Sequence, residues 1–172
     1  MPTREVSKVI AVLIAENGSY TYVDKISQAP SKALALMSIR DALRDYHSLA
    51  SRGTFSNNVV KDFASSINFD QVTKEIDSIS QIDNTTKLRE ELSLISAEAL
   101  SLSARLASNY DYKIADQIAK YAKANGVKTV EDLEKFIESN VSKIAKDLDL
   151  DEDKVNSIGK NKRLLNYVFQ GE

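Results

Sequence analysis

Apolar residues recur every three or four positions along most of the chain, the spacing of helices that bury one stripe. Val6, Val9, Ile10, Leu13 and Ile14 form the first stripe and Asn17-Gly18 closes it, which predicts a helix over residues 4–16. The next stretch, GSYTYVDKISQ (residues 18–28), is ambiguous. Ser19 is placed to cap a short helix, yet residues 20–23 (YTYV) have the aromatic and β-branched content of a strand, so a small β element is expected there. Pro30-Ser31 then opens a helix, because proline cannot continue a preceding one and the serine hydroxyl can satisfy a first-turn N–H. Leu36, Ile39, Leu43, Tyr46 and Ala50 run down one side of it, and Gly53 ends it.

The polar stretch SRGTFSNN (residues 51–58) reads as a loop that a partner could order. Short helices follow near residues 58–66 and 70–81, with a break at Asp83-Asn84. From Thr86, the positions Leu88, Leu92, Ile95, Ala99, Leu102 and Leu106 keep heptad spacing, and Leu94 and Leu100 widen the stripe beyond a two-helix seam. A second break is expected at Asn109, then a helix over residues 110–124 closed by Asn125-Gly126. Thr129 and Asp132 fit a capping box opening a helix to about residue 146, and short helices are expected over residues 151–158 and 161–169, with Gly159 between them. The pattern predicts an all-α helical bundle with at most a small β element, organised as a core over residues 1–108 and a C-terminal helical subdomain over 109–172, or as one continuous domain.

Composition bounds this picture more than it extends it. At 172 residues with 42% apolar and 28% charged side chains, the chain can bury roughly 70% of its unfolded surface without staples. The absence of cysteine excludes disulfides, thiolate metal sites and a cysteine nucleophile, and fits a cytoplasmic protein. The apolar start is interrupted or flanked by Glu5, Lys8 and Glu16 and lacks a small-residue cleavage site, so it reads as a helix rather than a signal peptide, and no run reaches membrane-span length. Net charge is −2, and carboxylates outnumber cations by one in each half of the chain, so no overall field draws nucleic acid or anionic lipid. A nucleic-acid role needs a local patch.

Candidate chemistry is sparse. His47 beside Tyr46 and Asp45 lacks a nucleophile elbow, and the helix points these neighbours to different faces, so the expectation is no enzyme. The run DLDLDED (residues 147–153) has the alternating acids of a calcium loop, but Glu152 stands where the turn glycine belongs and Ile158 where the closing carboxylate belongs. Acids favouring a helix start account for it better. No phosphate-cradling loop, dinucleotide fingerprint or zinc-ligand pair occurs, so no metal or cofactor is expected. Arg40 and Arg44, one turn apart, could hold a phosphate backbone. The plainer account pairs Arg44 with Asp41 on a solvated face. Lys160, Lys162 and Arg163 form a second basic cluster with the same two readings, and Tyr20 and Tyr22 could stack on bases or bury their rings. No basic recognition helix of a helix-turn-helix is apparent.

The order VIAVLIAENGSYTYVDKI (residues 9–26), then APSK (29–32), then IRDALRDY (39–46), resembles the small subunit of archaeal type I-A CRISPR interference complexes. The likeness covers roughly residues 6–65; the chain from about Asn109 onward does not share it. The resemblance implies a non-catalytic, mostly helical protein packed in several copies along an RNA-guided complex. Its partners would be backbone and large subunits, guide RNA and target DNA, with no membrane and no small-molecule substrate. Its expected work is to help hold the unwound target open, a near-balanced exchange that modest contacts can tip. Within the matching portion, charge marks Lys25, Lys32, Arg40, Arg44 and Arg52 as candidate nucleic-acid contacts. An archaeal virus coat or filament subunit and a small helical regulator are the competing expectations.

Overall fold

The computed structural model describes residues 2–170 and, among them, ten helices and no strand. The chain divides into two compact units, residues 1–107 and 108–172. The first holds α1 (Glu5–Asn17), α2 (Thr21–Ser27), α3 (Lys32–Arg52), α4 (Asn58–Ser65), α5 (Phe69–Ser80) and the leading part of α6 (Thr85–Ala124). The second holds the remainder of α6 with α7 (Val130–Ser139), α8 (Val141–Leu148), α9 (Glu152–Gly159) and α10 (Lys162–Gln170).

In the first unit α1 is the core helix. Ala11 and Val12 are as fully buried as Val9 and Ile10, so the helix is enclosed nearly all round rather than along one stripe. It packs against α3, α4 and α5, and α6 adds Leu92, Ile95 and Ala99 to the same core. Gly18 ends α1 in the left-handed conformation (φ 63°), donating its N–H to the Ile14 carbonyl at 2.8 Å.

Residues 20–23 are not a β element. Thr21 begins α2, because Val23 and Ile26, three apart, bury one helical face against α3, and no neighbouring strand exists among the described residues to complete a ladder. Local β preference gives way to packing.

The start of α1 is held by an exchange of caps. Glu75 on α5 accepts from the Glu5 and Val6 N–H groups at 3.0 and 2.9 Å. Glu5 in turn accepts from the N–H of Asn68, the N-cap of α5, at 2.7 Å. Each helix thus supplies a carboxylate to the positive end of the other. Beside them Arg4 reaches Glu91 through two nitrogens and Glu98 at 3.3 Å, and Ser7 donates to Glu98 at 2.9 Å. The side-chain hydrogen bond to Glu91, with the charges of Glu91 and Glu98, raises the Arg4 pKa against the opposing effect of burial.

Two expected boundaries move. α6 runs unbroken through Asn109, since one asparagine among good helix formers, with no glycine or proline beside it, costs only about 0.7 kcal/mol. The helix expected to reach residue 146 instead stops at Asn140, whose side chain donates to the Phe136 carbonyl at 2.8 Å and so competes with helix continuation. Leu94 and Leu100 do not widen the buried stripe of α6; they are 46% and 39% exposed.

The second unit has its own core, with Ile118 of α6, Leu133 and Ile137 of α7, Ile144 of α8, Val155 and Ile158 of α9 and Leu165 of α10 essentially inaccessible. Gly159 is the last residue of α9 rather than a linker, and a Cβ there would lie 2.7 Å from Ile137 Cγ2. The missing side chain lets α9 approach α7.

Candidate nucleic-acid interface

The α2–α3 face gathers most of what the sequence marked. Tyr22 on α2 donates its hydroxyl to Asp45 on α3, and the Lys25 ammonium stands 6.0 Å from the Tyr22 ring centroid. Burial, then the hydrogen bond to Asp45, pushes the Tyr22 pKa up to about 12, with the charges of Asp45 and Asp41 adding to it. Arg44 pairs with Asp41 at 3.3 Å in a surface contact, 71% exposed on the arginine side, that contributes a few tenths of a kcal/mol. Arg40 is exposed one turn before Arg44. Lys25, Arg40 and Arg44 therefore share this neighbourhood with Asp24, Asp41 and Asp45, and the patch is charge-balanced.

Lys32 and Arg52 lie elsewhere in use. The Lys32 ammonium donates to the carbonyls of Ser80 and Ile82 at 2.9 and 3.0 Å, and Asp83 is 3.8 Å away. That is a cation closing the negative end of α5. Arg52 Nε donates to the Ser48 carbonyl of its own helix at 3.2 Å. The adjoining polar loop is tied down by α1: the Ser56 N–H and hydroxyl donate to the Glu16 carboxylate at 2.9 to 3.1 Å, and Asn57 caps α4.

Sequence reasoning passed over the groove beside this patch. A cavity of about 450 Å³ between α2 and α3 is lined by Lys25, Gln28, Leu34, Met37 and Asp41 among others. Leu34 and Met37 are 43% and 55% exposed. The signal was present, since both are apolar residues off the Leu36–Ile39–Leu43–Tyr46 stripe.

The other candidates resolve into structural parts. The His47 ring is exposed and lies 5.0 Å from Phe69 and 5.7 Å from Tyr46, centroid to centroid. In the acidic run, Asp147 accepts from the Tyr121 hydroxyl at 2.5 Å, Asp151 caps α9, and Glu152 accepts from Ser142. Among the described residues no group of three or more His, Cys, Asp or Glu side chains could hold a metal ion. A cavity of about 590 Å³ at the head of α1 is lined by Arg4, Glu5, Lys8, Glu75 and Glu91, all engaged in the cap exchange and its ion pairs.

A helix-turn-helix layout does appear, at α8 and α9. Two eight-residue helices are joined by a three-residue turn in which Asp149 is left-handed (φ 55°), and the Leu150 N–H closes back on the Ala145 carbonyl at 2.8 Å. Asp149 fills the place where glycine would have announced the turn. The leading turn of α9, however, exposes Glu152 and Asp153, which have the wrong sign for a phosphate backbone.

No helix among the described residues is long and apolar enough to cross a membrane. No protein-family model matches the chain, and no solved structure does. An uncharacterized protein of Archaeoglobus fulgidus is 47% identical over 100 residues, a stretch that spans 58% of this chain and 86% of that protein. Identity at that level over most of the archaeal protein places this chain in the same family as the uncharacterized Archaeoglobus fulgidus protein.

Proposed function

We propose that the protein is a non-catalytic small subunit of an archaeal type I-A CRISPR interference complex. In this reading it packs in several copies against backbone and large subunits and helps hold unwound target DNA. The observation that carries the reading beyond the resemblance is the α2–α3 face, where the exposed apolar pair Leu34 and Met37 lines a groove with Lys25, Asp24 and Asp41, and α3 carries Arg40 and Arg44 exposed farther along. An apolar groove beside a sparse, charge-balanced set of cations suits docking on protein with a few phosphate contacts at the edge. It suits a subunit that leaves sequence recognition to base pairing in the guide.

Affinity purification of the tagged chain from an archaeal host tests this. Guide RNA and backbone subunits should co-purify, and Leu34→Asp with Met37→Asp should release them while leaving the fold intact by circular dichroism. Recovery of the native chain free of RNA and of other subunits overturns the reading. Reversing Arg40 and Arg44 to glutamate should weaken retention of single-stranded DNA and flatten its salt slope by about 0.7 for each phosphate no longer neutralised. Unchanged retention with an intact fold removes these two residues from the interface.

A coat or filament subunit is the second reading, favoured by Leu94 and Leu100 standing exposed on the 40-residue α6. It requires regular assemblies from the purified chain alone, seen by light scattering and electron microscopy.

A further inference from the structure

Within the second unit, α10 differs in charge from every other helix. It is the one helix among the described residues that carries no carboxylate, and it opens with Lys162 and Arg163. Leu165 and Val168 bury its inner side, which leaves Arg163, Asn166, Tyr167 and Gln170 exposed at spacings of three and four along one outer face. Tyr167 is 67% exposed, an unusual position for so large a ring. It does not stand alone. Tyr112 of α6, 44% exposed, lies with its ring centroid 5.7 Å from that of Tyr167 at an interplanar angle of 63°, so two wet aromatic rings form an open corner.

We infer that the outer face of α10, with Tyr112, binds single-stranded nucleic acid. The rings supply π-faces that accept any unpaired base, and the edge-on partner ring limits how a base can slide. Arg163 is one turn before Tyr167, about the reach from a stacked base to its own backbone phosphate, and Lys162 adds a second cation beside it. Asn166 and Gln170 offer amides to base edges or sugars without favouring one base. Lys162 lines a groove with Glu134 and Glu138 of α7, whereas Arg163 is exposed on the outer face with no carboxylate on its own helix, and a nucleic-acid strand brings the complementary charge for it. Duplex DNA fits poorly, because its stacked bases hide the π-faces that Tyr112 and Tyr167 address. This inference uses residues outside the resemblance and does not require the CRISPR reading.

The full chain has no tryptophan, so Tyr167→Trp installs a single reporter at the site. Titration of this variant with a fluorescein-free oligothymidylate of about fifteen nucleotides, the upper end of common site sizes, should quench its fluorescence, and the matching dA–dT duplex should not. In anisotropy with a labelled copy of the same oligonucleotide, Tyr167→Ala should weaken binding by about tenfold at unchanged salt slope, the effect of removing one stacked base. Arg163→Gln should instead lower the salt slope by about 0.7. Tyr167→Phe should bind as the native chain does, since the ring and not the hydroxyl does the stacking. Binding without quenching, equal quenching by duplex, or native affinity in Tyr167→Ala would each overturn the inference. So would a concentration-dependent dimer of the native chain that Tyr167→Ala abolishes, because a second copy would then be the occupant. Loss of co-purification with CRISPR subunits leaves all these outcomes unchanged, so the two readings fail separately.

Discussion

Glu75→Ala tests whether the exchanged caps anchor the core helix. The carboxylate accepts two backbone N–H groups of the first turn of α1, at 3.0 and 2.9 Å. Hydrogen bonds to a charged acceptor contribute about 1.5–3 kcal/mol each where solvent is excluded. Here water reaches the site through the cavity that Glu75 and Glu5 line, and can hydrate the freed N–H groups. The expected loss is therefore about 2 kcal/mol, below the simple sum of the two bonds. Glu75→Gln keeps one acceptor oxygen but turns an amide donor toward the second N–H and removes charge from the helix end, for an expected loss of about 1 kcal/mol. Glu5→Gln weakens the reciprocal cap on Asn68, and because both caps fix the same pair of helices the double variant should show a coupling energy of at least about 0.5 kcal/mol. Urea unfolding by circular dichroism gives the totals. Native-state hydrogen exchange gives the location: protection should fall at the amides of α1 while those of α7 to α10, which belong to a separate core, keep theirs. A change under about 0.5 kcal/mol for Glu75→Ala, or additive single effects, refutes the coupled-cap account.

Gly159→Ala would place a methyl 2.7 Å from Ile137 Cγ2, on a stiff β-branched side chain that is 1% exposed, so α9 and α7 must separate; a loss of about 1–3 kcal/mol is expected in thermal unfolding of the second unit despite the better helix propensity of alanine. Tyr22 has a folded pKa raised to about 12 over an unfolded value of 10, so its contribution is complete below pH 10 and disappears as pH rises toward 12. Urea midpoints of the native chain should accordingly fall more steeply over that window than those of Tyr22→Phe, and parallel curves would show that the Tyr22–Asp45 hydrogen bond does not couple to folding.

The helices of this protein were legible wherever an apolar stripe met a local stop. Ser31 and Thr129 each accept the first-turn N–H that their place in the sequence calls for. The failures go both ways: packing overrides weak local signals, and at Asn140 a local side-chain bond that the apolar pattern does not show overrides the pattern. Residues 20–23 favour extended chain, yet Val23 and Ile26 gain a buried face as a helix. Asn109 disfavours helix by a fraction of a kcal/mol and is carried through, while Asn140 interrupts because its side chain finds the Phe136 carbonyl. Charge was the least legible property. Lys32 is indistinguishable in sequence from Lys25, but its ammonium caps α5, a helix end 48 residues away, and that arrangement exists only after folding.

Salt separates the two surfaces by the company their cations keep. On the α2–α3 face, Lys25, Arg40 and Arg44 alternate with Asp24, Asp41 and Asp45, so a strand laid there meets as many repulsions as attractions, and a Debye length near 8 Å at physiological ionic strength weakens both. On α10, Arg163 has no carboxylate on its own helix to offset it, whereas Lys162 shares a groove with Glu134 and Glu138 of α7. Two phosphate contacts to a single strand give a slope of about 1.4 in log affinity against log salt, and neutralising Lys162 and Arg163 together should remove between about 0.7, the share of Arg163 alone, and that amount. Charge reversal at Arg40 and Arg44 adds two repulsive groups to a face whose three carboxylates then stand unopposed except by Lys25, and should impair strand retention mainly at low salt. If neutralising the α10 pair leaves the slope untouched while reversal at α3 abolishes it, the strand runs over α3. The rings of Tyr112 and Tyr167 then need a different occupant.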